Sequence, residues 1–551
     1  MFGTMLDAPL LVSRILTHAA ERHGASTVTG FVDDLEPRTT RFEVIAARAA
    51  ATAHALSDLG VGPGDVVGIL SGSRPELIEA VFALPSMGAV ALPVNFLRRT
   101  SFMASALRAN DVSVILVDPQ VLHPALAVVA EVPSVRHLVV VDSHLPPTPG
   151  DVDVEVHALE GLLDGRPTTY PWPELDERTA AAISYTSGTT GHSKGVAYSH
   201  RSIWLHSMQL CTAESAALTS GDSVLSTIPM FHVMAWGIPY AAFMSGASMI
   251  TARPRPGQVH HTGRDTAELL ATYRPNKMAT TPATLQRLLR YLEAHPQSLG
   301  HLDEVLVGGS PVPEAVFDAF VDRHGVTIMQ AYGLTETSPL ATFARPDPGS
   351  SATHRRSQLL GQGRFPAAVQ ARIVDGGAIQ PNDGWSVGEL QLRGPWVAAR
   401  YLGDEAPDRF VDEWFRTGDM ASISPKGYLD VLDRVEDIIA SGGELISTVE
   451  LEHAILRDHR VADAAVIGVP DERWGERPLA LVHLKQGVDL SAHALWSTLE
   501  GQVEMWKRPD HWAFVTDIPR TTVGKYDKIA IRSRHAAGEY QITTVRPDAQ
   551  R

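Results

Sequence analysis

The sequence predicts an α/β protein, with a large N-terminal domain of two parallel-type sheets with helices, a small β-rich subdomain, and a small C-terminal α/β domain. Three observations carry this. Short apolar runs alternate with helical patterns through the first third, and the alternation resumes from about residue 180 to 330. Between 370 and 433 the strands shorten and glycine turns multiply, and the chain from there to residue 551 alternates again. Strand–helix–strand alternation argues for parallel strands covered by their own crossover helices.

Taken in order, Val66-Val67-Gly68-Ile69-Leu70 is an unbroken apolar run too short for a helix, and reads as a buried strand. Glu76 to Leu84 has helical apolar spacing, Val90 to Val94 is a second strand, Phe102 to Leu107 a helical face, and Val112 to Val117 a third strand. The most membrane-like stretch, Ala80 to Phe96, contains Pro85, Gly88 and Pro93, and reads as a buried helix running into a strand. Leu145 to Pro173 is rich in Pro, Asp and Gly and reads as an exposed connection. Strands follow near 224–228, 247–251 and 304–308. In the C-terminal unit, Ala464 to Gly468 reads as a strand and Leu490 to Val503 as amphipathic. No internal repeat or heptad run is visible.

Length and composition bound the function. At about 150 residues per domain, 551 residues suggest two to four units. The hydrophobic fraction of 44% and charged fraction of 20% are those of ordinary globular protein. A formal charge of −16 disfavours a broad grip on nucleic acid or on an anionic membrane. Met1 to Pro9 lacks a basic leader region, and the apolar run that follows is broken by Arg14. The lone cysteine, Cys211, excludes an internal disulfide. The expectation is a cytoplasmic protein without a membrane span. Only 7 lysines stand against 40 arginines, so a lysine kept inside a motif is informative.

The strongest motif is Tyr185-Thr186-Ser187-Gly188-Thr189-Thr190-Gly191-His192-Ser193-Lys194-Gly195-Val196, which follows the apolar entry Ala180 to Ile183 and leads into a helical pattern. Its glycines let backbone approach a ligand closely, successive N–H groups can converge on phosphate oxygens, and the hydroxyls and Lys194 add donors. It is not a Walker A loop, because no Gly-Lys-Ser/Thr follows at the required spacing. Gly361-Gln362-Gly363 lacks the third glycine of a dinucleotide fingerprint, and His260-His261 lacks partners at metal-ligand spacing.

The motif resembles the phosphate loop of the adenylate-forming superfamily, which comprises acyl-CoA synthetases, aryl-CoA ligases, luciferases and peptide-synthetase adenylation domains. Further motifs follow in family order. Gln330-Ala331-Tyr332-Gly333-Leu334-Thr335-Glu336-Thr337 resembles the aromatic–Gly–x–Thr–Glu motif, and Arg416-Thr417-Gly418-Asp419 the Thr–Gly–Asp motif. Asp433-Arg434-Val435-Glu436-Asp437 resembles the hinge, and Ile518 to Lys525 the C-terminal lysine motif. Pro229-Met230-Phe231-His232, Gly394-Pro395-Trp396 and Gly442-Gly443-Glu444-Leu445-Ile446-Ser447 together resemble the medium- and long-chain fatty-acyl-CoA synthetase branch.

The resemblance implies an ATP- and Mg²⁺-dependent acid:CoA ligase. A domain of residues 1–433 would carry the nucleotide and acyl pockets, and a mobile lid of residues 434–551 would supply Lys525. Lys194 and the loop Thr186, Ser187, Gly188, Thr189, Thr190 and Gly191 would hold phosphates. Glu336 would bind Mg²⁺, with Thr186 or Thr189 as a hydroxyl neighbour. Tyr332 would stack on adenine within Gln330, Ala331, Gly333 and Thr335, with Gly309 and Ser310 opposite. Asp419 would hold the ribose hydroxyls, supported by Arg434. Lys525 would bridge the substrate carboxylate and α-phosphate, and His232 would flank the carboxylate end of an apolar pocket. After adenylation the lid would rotate about Glu436, and Gly442, Gly443 and Trp474 would line a channel for the CoA thiol. Ser193, Leu445 and Ala440 depart from the family pattern and leave substrate identity open. Two rivals therefore stand: a diazotase that adenylates nitrite and transfers it to an aryl amine, and a non-catalytic nucleotide-binding scaffold. The oligomeric state stays open, a homodimer included.

Overall fold

The computed structural model describes residues 3–31, 36–142, 145, 154–186, 193–252, 258, 261–521 and 525–545. Among these, strands assemble into four sheets. The first has seven strands in the order Glu155–Ala158, His137–Val140, Val114–Val117, Val66–Leu70, Val90–Pro93, Ala180–Tyr185 and Gly195–Ser199. Every neighbouring pair is parallel except the last. The second, also seven-stranded, runs Thr327–Ala331, Glu304–Gly308, Lys277–Thr280, Ser223–Ser226, Ser248–Thr251, Thr27–Phe31 and Pro37–Arg41, again with one antiparallel edge. Central strands buried on both faces need apolar residues at every position, which is why they read as runs and not as alternations.

The two parallel sheets share a helical layer. Helix Pro75–Met87 is buried along its entire length, so it is apolar all round instead of striped. Pro75 opens it and Gly88, at φ 94°, closes it in the left-handed conformation. Phe243, on helix Ile238–Ser245, stacks on Phe42 at 3.9 Å and on Phe82 at 4.3 Å. This core takes side chains from both sheets, among them Val67 and Ile69 from the first and Val28 and Met249 from the second. Buried Glu76 and Glu79 are held by Arg38, Arg74 and Arg48, with Arg48 Nε 2.7 Å from Glu79. Burial still raises the Glu79 carboxyl to about 7, against the pull of Arg48.

The third sheet is antiparallel and carries Gln370–Asp375, Gly388–Arg393, Trp414–Ile423 and Leu429–Arg434. The fourth begins with Ile439–Ser441 and centres on the long pair Val461–Asp471 and Gly475–Leu484. Its period-two pattern is clean: Ala464 and Val466 face one core, Ala465 and Ile467 the other. Among the described residues no helix is long and apolar enough to cross a membrane.

Two expectations are corrected. The Leu145–Pro173 connection contains the edge strand Glu155–Ala158 and the short helix Leu159–Leu163, which buries Leu159 and Leu163. The glycine-rich motif does not run directly into a helix. Strand Gly195–Ser199 first pairs back antiparallel on Ala180–Tyr185, and helix His200–Leu210 follows, capped by Ser199. Gly195-Val196-Ala197-Tyr198 is too short to show its period against the helix behind it.

Candidate active site

Thr186 leaves the strand Ala180–Tyr185 and locks the neck of the glycine-rich loop. Its N–H donates to the Lys194 carbonyl at 2.9 Å, and its hydroxyl accepts from the Lys194 N–H at 3.1 Å. Lys194 Nζ stands 5.7 Å from the Tyr401 ring centre. Ser187, Gly188, Thr189, Thr190 and Gly191 lie outside the described residues.

The second sheet delivers the next group at the carboxyl ends of its parallel strands, where α/β sheets commonly bind ligands. Glu304–Gly308 ends at Gly309 (φ 96°) and Ser310, and Thr327–Ala331 ends at Tyr332. Gln330 braces the strand end. Its amide donates to the Leu360 carbonyl at 2.5 Å, and its oxygen accepts from the Val312 N–H at 2.8 Å. Gly333 admits no side chain, since a Cβ there would lie 1.7 Å from the Pro339 carbonyl oxygen. The tight turn Thr335–Thr337 then presents Glu336. The Glu336 carboxylate accepts a bond from the Tyr401 hydroxyl, and its carbonyl accepts from the Ala398 N–H at 2.7 Å. The Tyr198 hydroxyl donates to the Thr335 carbonyl at 2.7 Å, so Glu336 sits on a rigid base.

The third sheet supplies Asp419 and Arg434 as a directly opposed cross-strand pair, with Nε 2.9 Å from Oδ1. Tyr332 donates its phenol to the other oxygen of Asp419. Burial, reinforced by Asp419, holds that phenol protonated well above its usual range, and the charge of Asp419 keeps Arg434 protonated.

Lys525 comes from the fourth-sheet region. Arg520 and Tyr526 bridge its hairpin, and the Thr521 N–H donates to the Lys525 carbonyl at 2.8 Å. Asp463 anchors this hairpin, 2.6 Å from Arg520 and 2.5 Å from the Tyr526 hydroxyl. Burial first, then repulsion from Arg434, lowers the Lys525 ammonium to about 8, while Asp419 and Glu336 pull it back up.

These residues enclose two adjoining chambers. One, of about 250 Å³, is lined by Gly309, Ser310, Gln330, Ala331, Tyr332, Gly333 and Asp419. The other, of about 360 Å³, is lined by Thr186, Lys194, His232, Trp236, Thr335, Glu336, Tyr401 and Arg409. Lys525 and Arg434 border both. The arrangement can hold an extended polyanion: a flat, buried end beside Tyr332 and a cationic end at Lys194, Arg409 and Lys525, with Glu336 as a hard oxygen donor.

The wall at His232 is built unusually. Val233, Met234, Ala235, Trp236 and Gly237 all take positive φ, between 49° and 72°. Each non-glycine residue there costs roughly 1–2 kcal/mol, so the surrounding core must impose this left-handed turn. It sets His232, Val233 and Trp236 on the chamber wall. Burial, then Lys525, lowers the His232 imidazole to about 4, so it is neutral at pH 7.

Gly442, Gly443 and Trp474 are not brought to this cavity. They group on the fourth sheet, where the Gly442 N–H donates to the Trp474 carbonyl at 2.8 Å. A Cβ on Gly442 would meet the Trp474 ring at 2.8 Å, whereas Gly443 (φ 91°) faces open space. Conversely, Tyr401 and Arg409 line the cavity without any signal in the sequence. The Arg409 guanidinium donates to the Thr417 carbonyl at 2.7 Å, beside Gly418. Tyr401 precedes one short helical turn, Leu402–Asp404, and Arg409 ends another, Pro407–Arg409, with no motif around either.

Residues 16–402 match the AMP-binding enzyme family, and residues 450–525 match the AMP-binding enzyme C-terminal domain. The chain is 36% identical over 543 residues to a long-chain-fatty-acid–CoA ligase of Thermus thermophilus, covering 97% of each protein. It is 35% identical over 543 residues to a 3-methylmercaptopropionyl-CoA ligase of Ruegeria lacuscaerulensis, covering 97% of this chain and 98% of that one. Its fold is similar to the crystal structure of the anthranilate CoA ligase AuaEII in complex with anthranoyl-AMP. The TM-score is 0.86 at 24% identity, over 97% of this chain and 99% of that one. The chain therefore belongs to the AMP-binding enzyme family and is an adenylate-forming ligase.

Proposed function

We propose that the protein is an acid:CoA ligase that runs two half-reactions. In the first, a carboxylate oxygen attacks the α-phosphorus of ATP, a P–O bond forms, and the bond to pyrophosphate breaks, giving acyl-AMP. In the second, the CoA thiol gives up its proton and attacks the acyl carbon, forming a thioester and releasing AMP. The observation that carries this reading is the position of Lys525, on the border of both chambers together with Gly309.

In this reading the smaller chamber takes the nucleoside, with Tyr332 against the base and Asp419 accepting from both ribose hydroxyls. Lys194 and the glycine-rich loop orient the outer phosphates. Lys525, as an ammonium, bridges the carboxylate and the α-phosphate while negative charge builds between them, a contact strongest in the transition state. Neutral His232 orients the carboxylate, and Trp236 and Leu340 line the apolar side of its seat. The donor set fits Mg²⁺. Tyr401 occupies one oxygen of Glu336 and leaves the second, a hard ligand of the kind this ion prefers, with the Thr186 hydroxyl on the same chamber. Bound there, Mg²⁺ would neutralise charge on the leaving pyrophosphate.

The division into residues 1–433 and 434–551 belongs to the same proposal. After adenylation the second unit rotates about Glu436, withdrawing Lys525 and bringing Gly442, Gly443 and Trp474 toward the acyl-AMP. The substrate class is a fatty or aryl carboxylate, and the setting is the cytoplasm. Relatives matched over nearly their whole length are named for acyl-CoA formation, which supports a carboxylate over nitrite with an aryl amine.

The test is AMP release from ATP across short, medium, long and aromatic carboxylates, with and without CoA. Strong CoA-dependent release for one class is expected. Silence across the panel, from protein that binds ATP, would overturn the reading, and release with nitrite and an aryl amine alone would replace it.

A further inference from the structure

At the edge of the first sheet farthest from the glycine-rich loop, three ligand-type side chains converge. His137 opens the strand His137–Val140, and Glu155 and His157 lie two apart on the edge strand Glu155–Ala158. The parallel register pairs His137 with Glu155 and Val139 with His157. Alternation therefore puts all three on one face. We propose that His137, Glu155 and His157 form a site for a tetrahedral divalent transition-metal ion, with Zn²⁺ as its best match.

The distances carry the argument. His137 Nδ1 lies 3.2 Å from His157 Nε2 and 3.5 Å from Glu155 Oε2, and His157 Nε2 lies 3.6 Å from the same oxygen. A tetrahedral ion with bonds of about 2.0–2.1 Å separates its ligands by about 3.3–3.4 Å. The three atoms thus outline one face of such a tetrahedron. An octahedral ion of similar bond length would ask for about 2.9 Å between adjacent ligands, shorter than any of the three distances.

Hydrogen bonding explains the cluster less well. One proton between the two imidazole nitrogens satisfies that pair alone, while the carboxylate oxygen, at 3.5 and 3.6 Å, stands beyond good hydrogen-bond reach of either ring. One ion satisfies all three lone pairs at once. Exposure suits the same role, since the imidazoles are only 18% and 23% exposed while the carboxylate is 71% exposed. The rings are held in place, the carboxylate closes from the solvent side, and a water can fill the fourth position.

The site is separate from the proposed Mg²⁺ position. Four strands lie between Glu155–Ala158 and Ala180–Tyr185, which at ~4.8 Å per strand is about 24 Å. Its effect would be to tie the edge strand to its neighbour, leaving adenylation untouched.

The test uses full-length protein stripped with a chelator, then titrated with Zn²⁺ or Co²⁺. Wild type should take up one tight equivalent, raise its unfolding temperature with Zn²⁺, and give the intense visible bands of tetrahedral cobalt. His157→Ala and Glu155→Gln should weaken that equivalent by about 10–100-fold or more, with unchanged Mg²⁺-dependent AMP release showing that they fold. Zinc uptake equal in wild type and both variants would overturn the proposal. So would a weak octahedral cobalt spectrum or none in wild type, a readout that decides even where a variant fails to fold.

Discussion

The fixed and the carried walls of the cavity are held in opposite ways. Glu336 stands on a base tied into the body of the protein, by Tyr401 and Ala398 to itself and by Tyr198 to its neighbour Thr335. Lys525 stands on a hairpin whose strongest anchors, Arg520 and Tyr526 to Asp463, all lie within the C-terminal unit. Helix Lys528–Ala536, capped by Asp527, extends that brace, and Lys528 pairs with Glu452 at 2.9 Å. Under the proposed rotation, one wall would stay with the sheets, and the other, braced within itself, would be exchanged as a whole. A catalyst with two successive reactions at one site needs this asymmetry: a constant charge environment and an exchangeable face.

Breaking the fixed wall should cost most. Glu336→Gln is expected to lower the first half-reaction by roughly 10²–10³, as for the loss of a principal electrostatic group, and to raise the Mg²⁺ concentration needed for half-maximal rate. Pyrophosphate exchange measured across a Mg²⁺ titration checks this, and an unchanged requirement would count against Glu336 as the ion's ligand. Next comes the hidden face. Gly443→Leu points into open space in the present arrangement, so adenylation should survive, while transfer from supplied acyl-AMP to CoA should fall about 100-fold. Equal loss in both half-reactions would remove the exchange of faces from the account.

Loosening the carried wall without touching its reactive group should cost less. Asp463→Asn weakens the hold on Arg520 and Tyr526, and adenylation should slow about tenfold, equivalent to roughly 1.4 kcal/mol. Unaltered transfer to CoA is the accompanying expectation, testable by single-turnover assays. The mildest perturbation is pH. The Lys525 ammonium is lowered to about 8, so the contact is present below that pH and lost above it. The kcat/KM for adenylation in the free enzyme should therefore fall by at most tenfold per pH unit above about 8. A descending limb that appears only near 10 would mean that Lys525 is not desolvated as described.

Much of this was legible in sequence because the residues concerned sit in local patterns. The parallel strands announce themselves as Val/Ile runs, and Tyr332, Glu336, Asp419 and Arg434 lie in short motifs. What was not legible depends on tertiary context. The edge strand Glu155–Ala158 hides in a Pro- and Asp-rich stretch, because an edge strand need bury only one face. Tyr401 and Arg409 reach the cavity from loops, where spacing carries no signal. The left-handed turn 233–237 contains four residues that ordinarily avoid that conformation, so only the packing around it specifies it. His137, Glu155 and His157 meet through strand register, which spacing along the chain cannot show.

The measurement that goes most directly to the centre of the account separates the two half-reactions in Lys525→Ala. ATP–pyrophosphate exchange is expected to fall by roughly 10²–10³, while thioester formation from supplied acyl-AMP and CoA proceeds near the wild-type rate. Loss of both reactions to the same degree would contradict it, because Lys525 would then serve the fold or a single static site instead of one of two exchangeable faces.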